Sequence, residues 1–277
     1  MILGAISNSW KHQLSSNDLK KLVQDAQMRG AVHIELRQAF MGSYETGADD
    51  AWRPAIQKLA EMTNGFPGLS FNLAIEWPCI SMESDPQGEQ FQAALQAAKA
   101  LDLKAPHLRL VDRTPFDTVW TEEGQVPLMA LQQTTGLTRE ASQQGVVLSI
   151  ENVGQTIAAM TLLVRMVRNR LFKDEGRFLG ICPDPANQIP RYPKSDPVAE
   201  IESTPLDFLK IVHFKQTRDG KTHPTIDSGD VDCLHQMRVL KKIDYRGAVV
   251  MEIPPHDSVM ENLSVSFAYL KGEIQKD

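Results

Sequence analysis

Four short apolar runs in the second half of this chain each carry, at or near their end, a side chain able to ligate a metal or move a proton. VVLSIENV contains Glu151, FLGICPD ends in Asp184, KIVHFK carries His213 and AVVMEI contains Glu252. Short runs of apolar and β-branched residues read as strands buried on both faces, as in a parallel sheet. Such a strand rarely tolerates an unpartnered charge, so Glu151 is expected at a strand's C-terminal end, where strand gives way to loop; the same pattern recurs at Asp184, His213 and Glu252.

The remaining sequence repeats the same unit. Strands are predicted over residues 2–6, 32–37, 69–76, 107–112, 146–153, 178–183, 209–215 and 247–253. Helices are predicted over 16–29, 49–63, 86–101, 124–144, 156–171, 231–242 and from Ser258 to about Lys271. Ser15 or Ser16 is expected to cap the first, Pro54 to sit in the first turn of the second, and Ser258 with Glu261 to form a capping box on the last. The proline-rich stretch 183–205 leaves room only for a short helix near 198–202. Eight such alternations without a low-complexity linker predict an α/β fold, a single domain over 1–277, closed as a (β/α)8 TIM barrel. An open doubly wound sheet is the alternative, but GAISNS after the first strand lacks the glycine spacing of a dinucleotide site.

The length of 277 residues suits one barrel, and a net charge of −6 argues against a nucleic-acid surface. Cys79, Cys182 and Cys233 are odd in number and widely spaced, so neither a disulfide framework nor a zinc ribbon is implied, and a reducing cytoplasm fits. Met1 runs almost directly into the first apolar segment with no basic leader, and no run reaches the length of a membrane span. A soluble, cytoplasmic chain is expected, with the proline-rich stretch and exposed loop aromatics as a contact for a homodimer.

In a parallel barrel all strand C-termini open on one face, so Glu151, Asp184, His213 and Glu252 can converge. Three carboxylates and an imidazole form a hard site, suited to Mn2+, Mg2+ or Co2+ more than to a structural Zn2+, and carboxylates packed together require a cation. Lys215 shares a strand face with His213, so it either enters the pocket or pairs with a carboxylate such as Glu35. Arg218 is a candidate for binding a substrate carboxylate or phosphate. Trp10 and Trp77 follow strands one and three, where they stack on a sugar ring or pack at core or rim. Arg37 and Arg109 lie inside strands and are expected to meet Glu35 or Asp112. In VHIELR one face must be unusually polar, because His33, Glu35 and Arg37 alternate with Ile34 and Leu36. His12, His107, His223 and His256 are read as surface or rim residues.

IELR at Glu35, IEN at Glu151, CPDPAN from Cys182, VHFK around His213, SGDVD from Ser228 and VMEI at Glu252 give nearly the whole chain a family resemblance. It resembles the xylose-isomerase-like barrel superfamily of sugar isomerases and epimerases, which includes tagatose epimerase, inosose dehydratase and 3-dehydroshikimate dehydratase. The resemblance implies a divalent metal held by Glu151, Asp184, His213 and Glu252, with Glu151 and Glu252 as acid–base groups. It departs from the family pattern at Asn187, where a histidine is common and a neutral amide must contact substrate instead. It departs again at Gln216, where His-x-Lys-Asp ends, and at Asp227, where a glycine is common. The implied activity is isomerisation or epimerisation of a sugar or polyhydroxy ketone by proton abstraction through a metal-stabilised enediolate. A lyase of the same fold is the alternative, dehydrating an inosose-like or dehydroshikimate-like ketone or eliminating from a 3-oxo-glycoside. An abasic-site nuclease needs more histidines and a basic groove, and a pure binding subunit has no need of two opposed bases.

Overall fold

The computed structural model describes residues 1–81, 84–113 and 118–274. Among these residues, eight parallel strands form one sheet: β1 (Ile2–Ile6), β2 (His33–Arg37), β3 (Ser70–Glu76), β4 (His107–Val111), β5 (Val147–Glu151), β6 (Leu179–Cys182), β7 (Ile211–Phe214) and β8 (Ala248–Met251). The hydrogen-bonded order is β6-β5-β4-β3-β2-β1-β8-β7, which leaves β6 and β7 to meet. They do so through a parallel bridge between Ile181 and Leu209, with Lys210 N donating to Ile181 O at 3.2 Å and His213 N to Pro183 O at 2.9 Å. Gly180 makes this seam possible. A Cβ there would sit 2.2 Å from the Phe208 carbonyl oxygen and 2.5 Å from Lys210 Cγ, so any side chain would push the two edges apart.

The helices lie between the strands: α1 (Leu19–Met28), α2 (Ile56–Asn64), α3 (Glu89–Leu101), α4 (Leu128–Gln143), α5 (Ile157–Arg168), α6 (Pro197–Ser203), α7 (Cys233–Lys242) and α8 (Val259–Ile274). Asp18, not Ser15 or Ser16, caps α1 by accepting from Lys20 N, because the chain stays in 3-10 turns until Ser15. The expected early start of α2 at Asp49 is corrected too. Arg53–Pro54 pairs with Glu45–Thr46 as a small antiparallel ribbon, and the helix begins only at Ile56. Among the described residues no helix is long and apolar enough to cross a membrane.

The two-residue period sorts each strand between two environments. Leu148 and Ile150 of β5 point outward and are fully buried in the cluster shared with the helices, while Ser149 and Glu151 point into the barrel. The barrel interior is itself divided. Ile2, Ile6, Cys182, Ile211, Ala248 and Val250, from β1, β6, β7 and β8, form a separate apolar cluster. The opposite half, from β2 to β5, carries His33, Glu35, Asn72, Arg109 and Ser149, all buried. The polar face of VHIELR therefore looks inward, and its charges are tolerated because each is hydrogen-bonded. His33 Nδ1 lies 2.9 Å from Ser70 Oγ and its Nε2 2.7 Å from Asn72 Oδ1; Asn72 Nδ2 then donates to Glu35 Oε2 at 2.7 Å.

His107, expected at the surface or rim, is half-buried at the N-terminal rim of the barrel. It lies at the N-terminal end of β4 with Nε2 2.7 Å from Ser149 Oγ, and burial pushes its imidazole down to about 3. The neutral ring is thus favoured in the folded state, while the unfolded chain takes up a proton near the ordinary value of about 6.5. Stability supported by His107 is complete above about pH 6.5 and declines as pH falls toward 3. Urea midpoints between pH 4 and 7 are expected to show a shallower acid loss in His107→Gln; an identical slope would remove His107 from the account.

Candidate metal centre

Glu151 closes β5, Asp184 follows β6, His213 lies within β7 and Glu252 follows β8, so the four groups come from consecutive strands at the barrel's C-terminal mouth. One oxygen or nitrogen atom from each lies within 4.8 Å of the others. Among them Asp184 Oδ2 is buried and has no hydrogen-bond partner among the described residues. Its other oxygen caps the helical turn 185–188, accepting from Ala186 N at 2.9 Å and Asn187 N at 3.3 Å. Lys215 Nζ faces it only at 3.6 Å, and a buried carboxylate oxygen without a hydrogen bond is costly. Burial, with Glu252 and Glu151 nearby, pushes Asp184 up to about 6 although Lys215 opposes this. Three carboxylate oxygens and one imidazole nitrogen at this spacing fit a hard divalent cation.

Each group is anchored by residues that do not themselves join the cluster. His213 Nε2 is 3.1 Å from Glu35 Oε1, which turns Nδ1 toward the cluster. Such a carboxylate behind a histidine sets the ring's orientation and tautomer. Nδ1 lies 3.2 Å from Glu252 Oε2. Burial, with Arg109 nearby, opposes a charge on the ring, but Cys182 and the Glu35 carboxylate outweigh it and hold His213 well above its ordinary value. Glu151 Oε2 accepts from Arg109 Nη1, and Arg109 grips Glu35 in a fork, Nε to Oε2 at 2.9 Å and Nη2 to Oε1 at 2.6 Å. Glu252 Oε1 accepts from Asn8 Nδ2 at 2.9 Å. Asn152 holds the peptide of Asp184 in both directions, accepting from its N at 2.6 Å and donating to its O at 3.0 Å.

Lys215 enters the pocket and does not pair with Glu35. Its Nζ lies 3.3 Å from Glu252 Oε2, 3.6 Å from Asp184 Oδ2 and 3.1 Å from Asn187 Oδ1. Burial works against its charge, yet Glu252, Asp184 and Glu151 together raise the ammonium above its ordinary value. In return, Lys215 and His213 overcome burial and hold Glu252 well below the usual carboxylate range. Asn187 also donates from Nδ2 to Glu151 Oε1 at 3.0 Å, so its amide joins a glutamate to the lysine.

The other expected site residues fall elsewhere. Trp10 is 1% exposed within the main apolar cluster, and Trp77 packs there against Phe91 at 5.4 Å. Both are core residues rather than a stacking wall. Arg218 lies on the exposed ribbon Thr217–Arg218 and Lys221–Thr222, bonded to Ser228 Oγ, and does not line the cavity above the cluster. Arg37 meets Glu76 rather than Glu35 or Asp112. Arg109 meets Glu35 as expected, whereas its reach to Glu151 and the anchoring by Asn8 and Asn152 are roles that strand patterns alone did not assign. Arg109 and Glu35 had a signal in their unusual place inside apolar strands; Asn8 had none.

Residues 23–271 match the family described as xylose isomerase-like TIM barrel, and the chain belongs to that family. In structure it is similar to the probable 3-DHS dehydratase AsbF from Bacillus anthracis, with a TM-score of 0.72 and 14% identity over 100% of both chains. It is similar to the IOLI protein, solved with a zinc atom, at 0.72 and 16% over 100% of this chain and 99% of that one. D-psicose 3-epimerase, solved in the presence of D-fructose, is similar at 0.67 and 16% over 99% of each chain. At these identities the likeness is one of fold. No curated protein sequence matches the chain.

Proposed function

We propose that this protein is a divalent-metal-dependent isomerase or epimerase acting on a sugar or other polyhydroxy ketone. The observation that carries the reading is the pair Glu151 and Glu252, brought from β5 and β8 into one cluster with Asp184 and His213. Glu151, Asp184, His213 and Glu252 would hold the cation, with Mn2+, Mg2+ or Co2+ favoured by the oxygen-rich donor set. When bound, such a cation supplies Lewis-acid polarisation of the carbonyl and adjacent hydroxyl oxygens of a hydroxyketone.

The chain's own residues then handle the proton. Glu252, kept ionised by Lys215 and His213, is suited to take the proton from the carbon next to the carbonyl. Glu151, three strands further round the mouth, is suited to return one from the other side. Arg109 and Asn8 each pin one oxygen of these glutamates, so the other oxygen of each is aimed at the cluster. Asn187 and Lys215 offer an amide and an ammonium to substrate hydroxyls within the same cavity. Return of the proton to the same carbon gives an epimer, and to its neighbour an isomer.

A panel of ketoses incubated with the Mn2+-loaded protein in D2O tests this: deuterium is expected at the carbon beside the carbonyl of at least one. A lyase is the second reading, favoured by the similarity to a dehydratase. Water loss from 3-dehydroshikimate without exchange into any ketose would select it.

Metal binding has its own test. Three clustered carboxylates gain a counter-charge, so Mn2+ at about a hundred times its Kd adds roughly 2.7 kcal/mol. That is a rise of roughly 5–10 °C in Tm for a chain of this size, reversed by EDTA. A cation held by His213 would need the ring unprotonated there, so binding would release acid, measurable with a pH indicator in weak buffer. No Tm change and no proton release would remove the metal centre.

A further inference from the structure

We infer that the substrate carries a carboxylate group and that Arg37 binds it. The inference rests on the proposed function and narrows its substrate class. Arg37 ends β2, its side chain is 3% exposed, and it lines a cavity of about 80 Å³ together with Glu151, Asn187, Lys215 and Glu252. One arm of its guanidinium is accounted for, with Nη2 2.7 Å from Glu76 Oε1. Nη1 is buried with no hydrogen-bond partner among the described residues. A buried charged donor left unpaired is destabilising, and an anionic ligand in the cavity would satisfy it.

Glu76 does not neutralise Arg37 alone, because the same oxygen also faces Arg113 Nε at 2.8 Å. Counting outward from the cavity, Arg37, Arg109, Arg113 and Lys215 face the carboxylates of Glu35, Glu76, Glu151, Asp184 and Glu252. With one divalent cation bound and His213 neutral as its ligand, the site would carry an excess of one positive charge. A monoanion would restore neutrality. A phosphate dianion would overshoot, whereas Nη1 can give a carboxylate one charge-assisted hydrogen bond. A neutral sugar could accept one hydrogen bond from Nη1 but would leave the charge uncompensated.

The test uses the full-length Mn2+-loaded protein, with D-fructose, D-fructuronate and D-fructose 6-phosphate titrated by calorimetry. Fructuronate differs from fructose only in its terminal carboxylate. It is expected to bind at least about tenfold tighter than fructose and tighter than the phosphate ester, in line with one charge-assisted hydrogen bond. Arg37→Gln is expected to reduce that preference to about twofold or less while Mn2+ affinity stays unchanged. Should Arg37→Gln fail to fold, Glu76→Gln decides, since it removes the carboxylate charge that partly neutralises Arg37 and so raises the preference for the acid. No preference in the wild-type protein, a stronger one for phosphate, a preference surviving in Arg37→Gln, or an unchanged one in Glu76→Gln overturns the inference. Failure of Mn2+ to bind the wild-type protein brings down the proposed function with it. Normal Mn2+ binding with equal affinities for acid and sugar brings down the inference alone.

Discussion

Glu252→Gln is expected to lower proton exchange into a ketose substrate by a factor of about 10² to 10⁴, the range typical of a removed general base. The carboxamide matches the carboxylate in shape, and its oxygen can still accept from Asn8 Nδ2, which lies 2.9 Å from Glu252 Oε1. What it cannot do is take a proton. The unfolding transition should stay single and cooperative, because the apolar clusters do not include residue 252. Lys215 loses its strongest partner but keeps Asp184 and Glu151 nearby. NMR exchange rates and a thermal melt on the same preparation check both halves. Turnover equal to wild type would reject the acid–base role.

Arg109→Met is expected to act on stability instead. Arg109 is 1% exposed and joins Glu35, fully buried, to Glu151, which is 5% exposed. Burial opposes the charge on Arg109, yet Glu151 and Glu35 raise the guanidinium well above its ordinary value, and Glu35 in turn is held well below the usual carboxylate range. Removing the cation leaves two buried carboxylates facing each other, a change that typically costs about 3–5 kcal/mol. Arg109→Lys should recover little of this, since one ammonium cannot make the fork to Glu35 and reach Glu151 as well. Urea midpoints for the two variants decide the matter. A loss below about 1 kcal/mol would mean that Glu35 simply takes up a proton and the network relaxes.

The metal-ligand candidates were legible because strand ends in a parallel barrel share one face, so four apolar runs ending in Glu151, Asp184, His213 and Glu252 already implied a meeting place. Lys215 was half legible: the two-residue period put it beside His213, but only the structure showed Glu252 and Asp184, not Glu35, as its partners. For Trp10 the sequence left a stacking wall and core packing both open, and the structure puts the ring in the core. An aromatic after a strand looks the same in sequence whether its loop folds over the mouth or, as here, tucks the ring into the core. The start of α2 was misplaced because Asp49–Ala51 make only a 3-10 turn and Arg53–Pro54 are then held in a ribbon by pairing with Glu45–Thr46, a contact no local pattern records.

By itself the sequence determined the alternation of strand and helix, the inward and outward faces of each strand, and the donor types offered at the mouth. These follow from hydrophobic period and chain direction, which are local. Only the tertiary structure decided which charges meet across the barrel. Glu35 on β2 reaches His213 on β7, and Arg109 on β4 spans from Glu35 to Glu151, because ring closure through the β6–β7 seam sets those distances. Closure is a property of eight strands at once, and no single segment carries it.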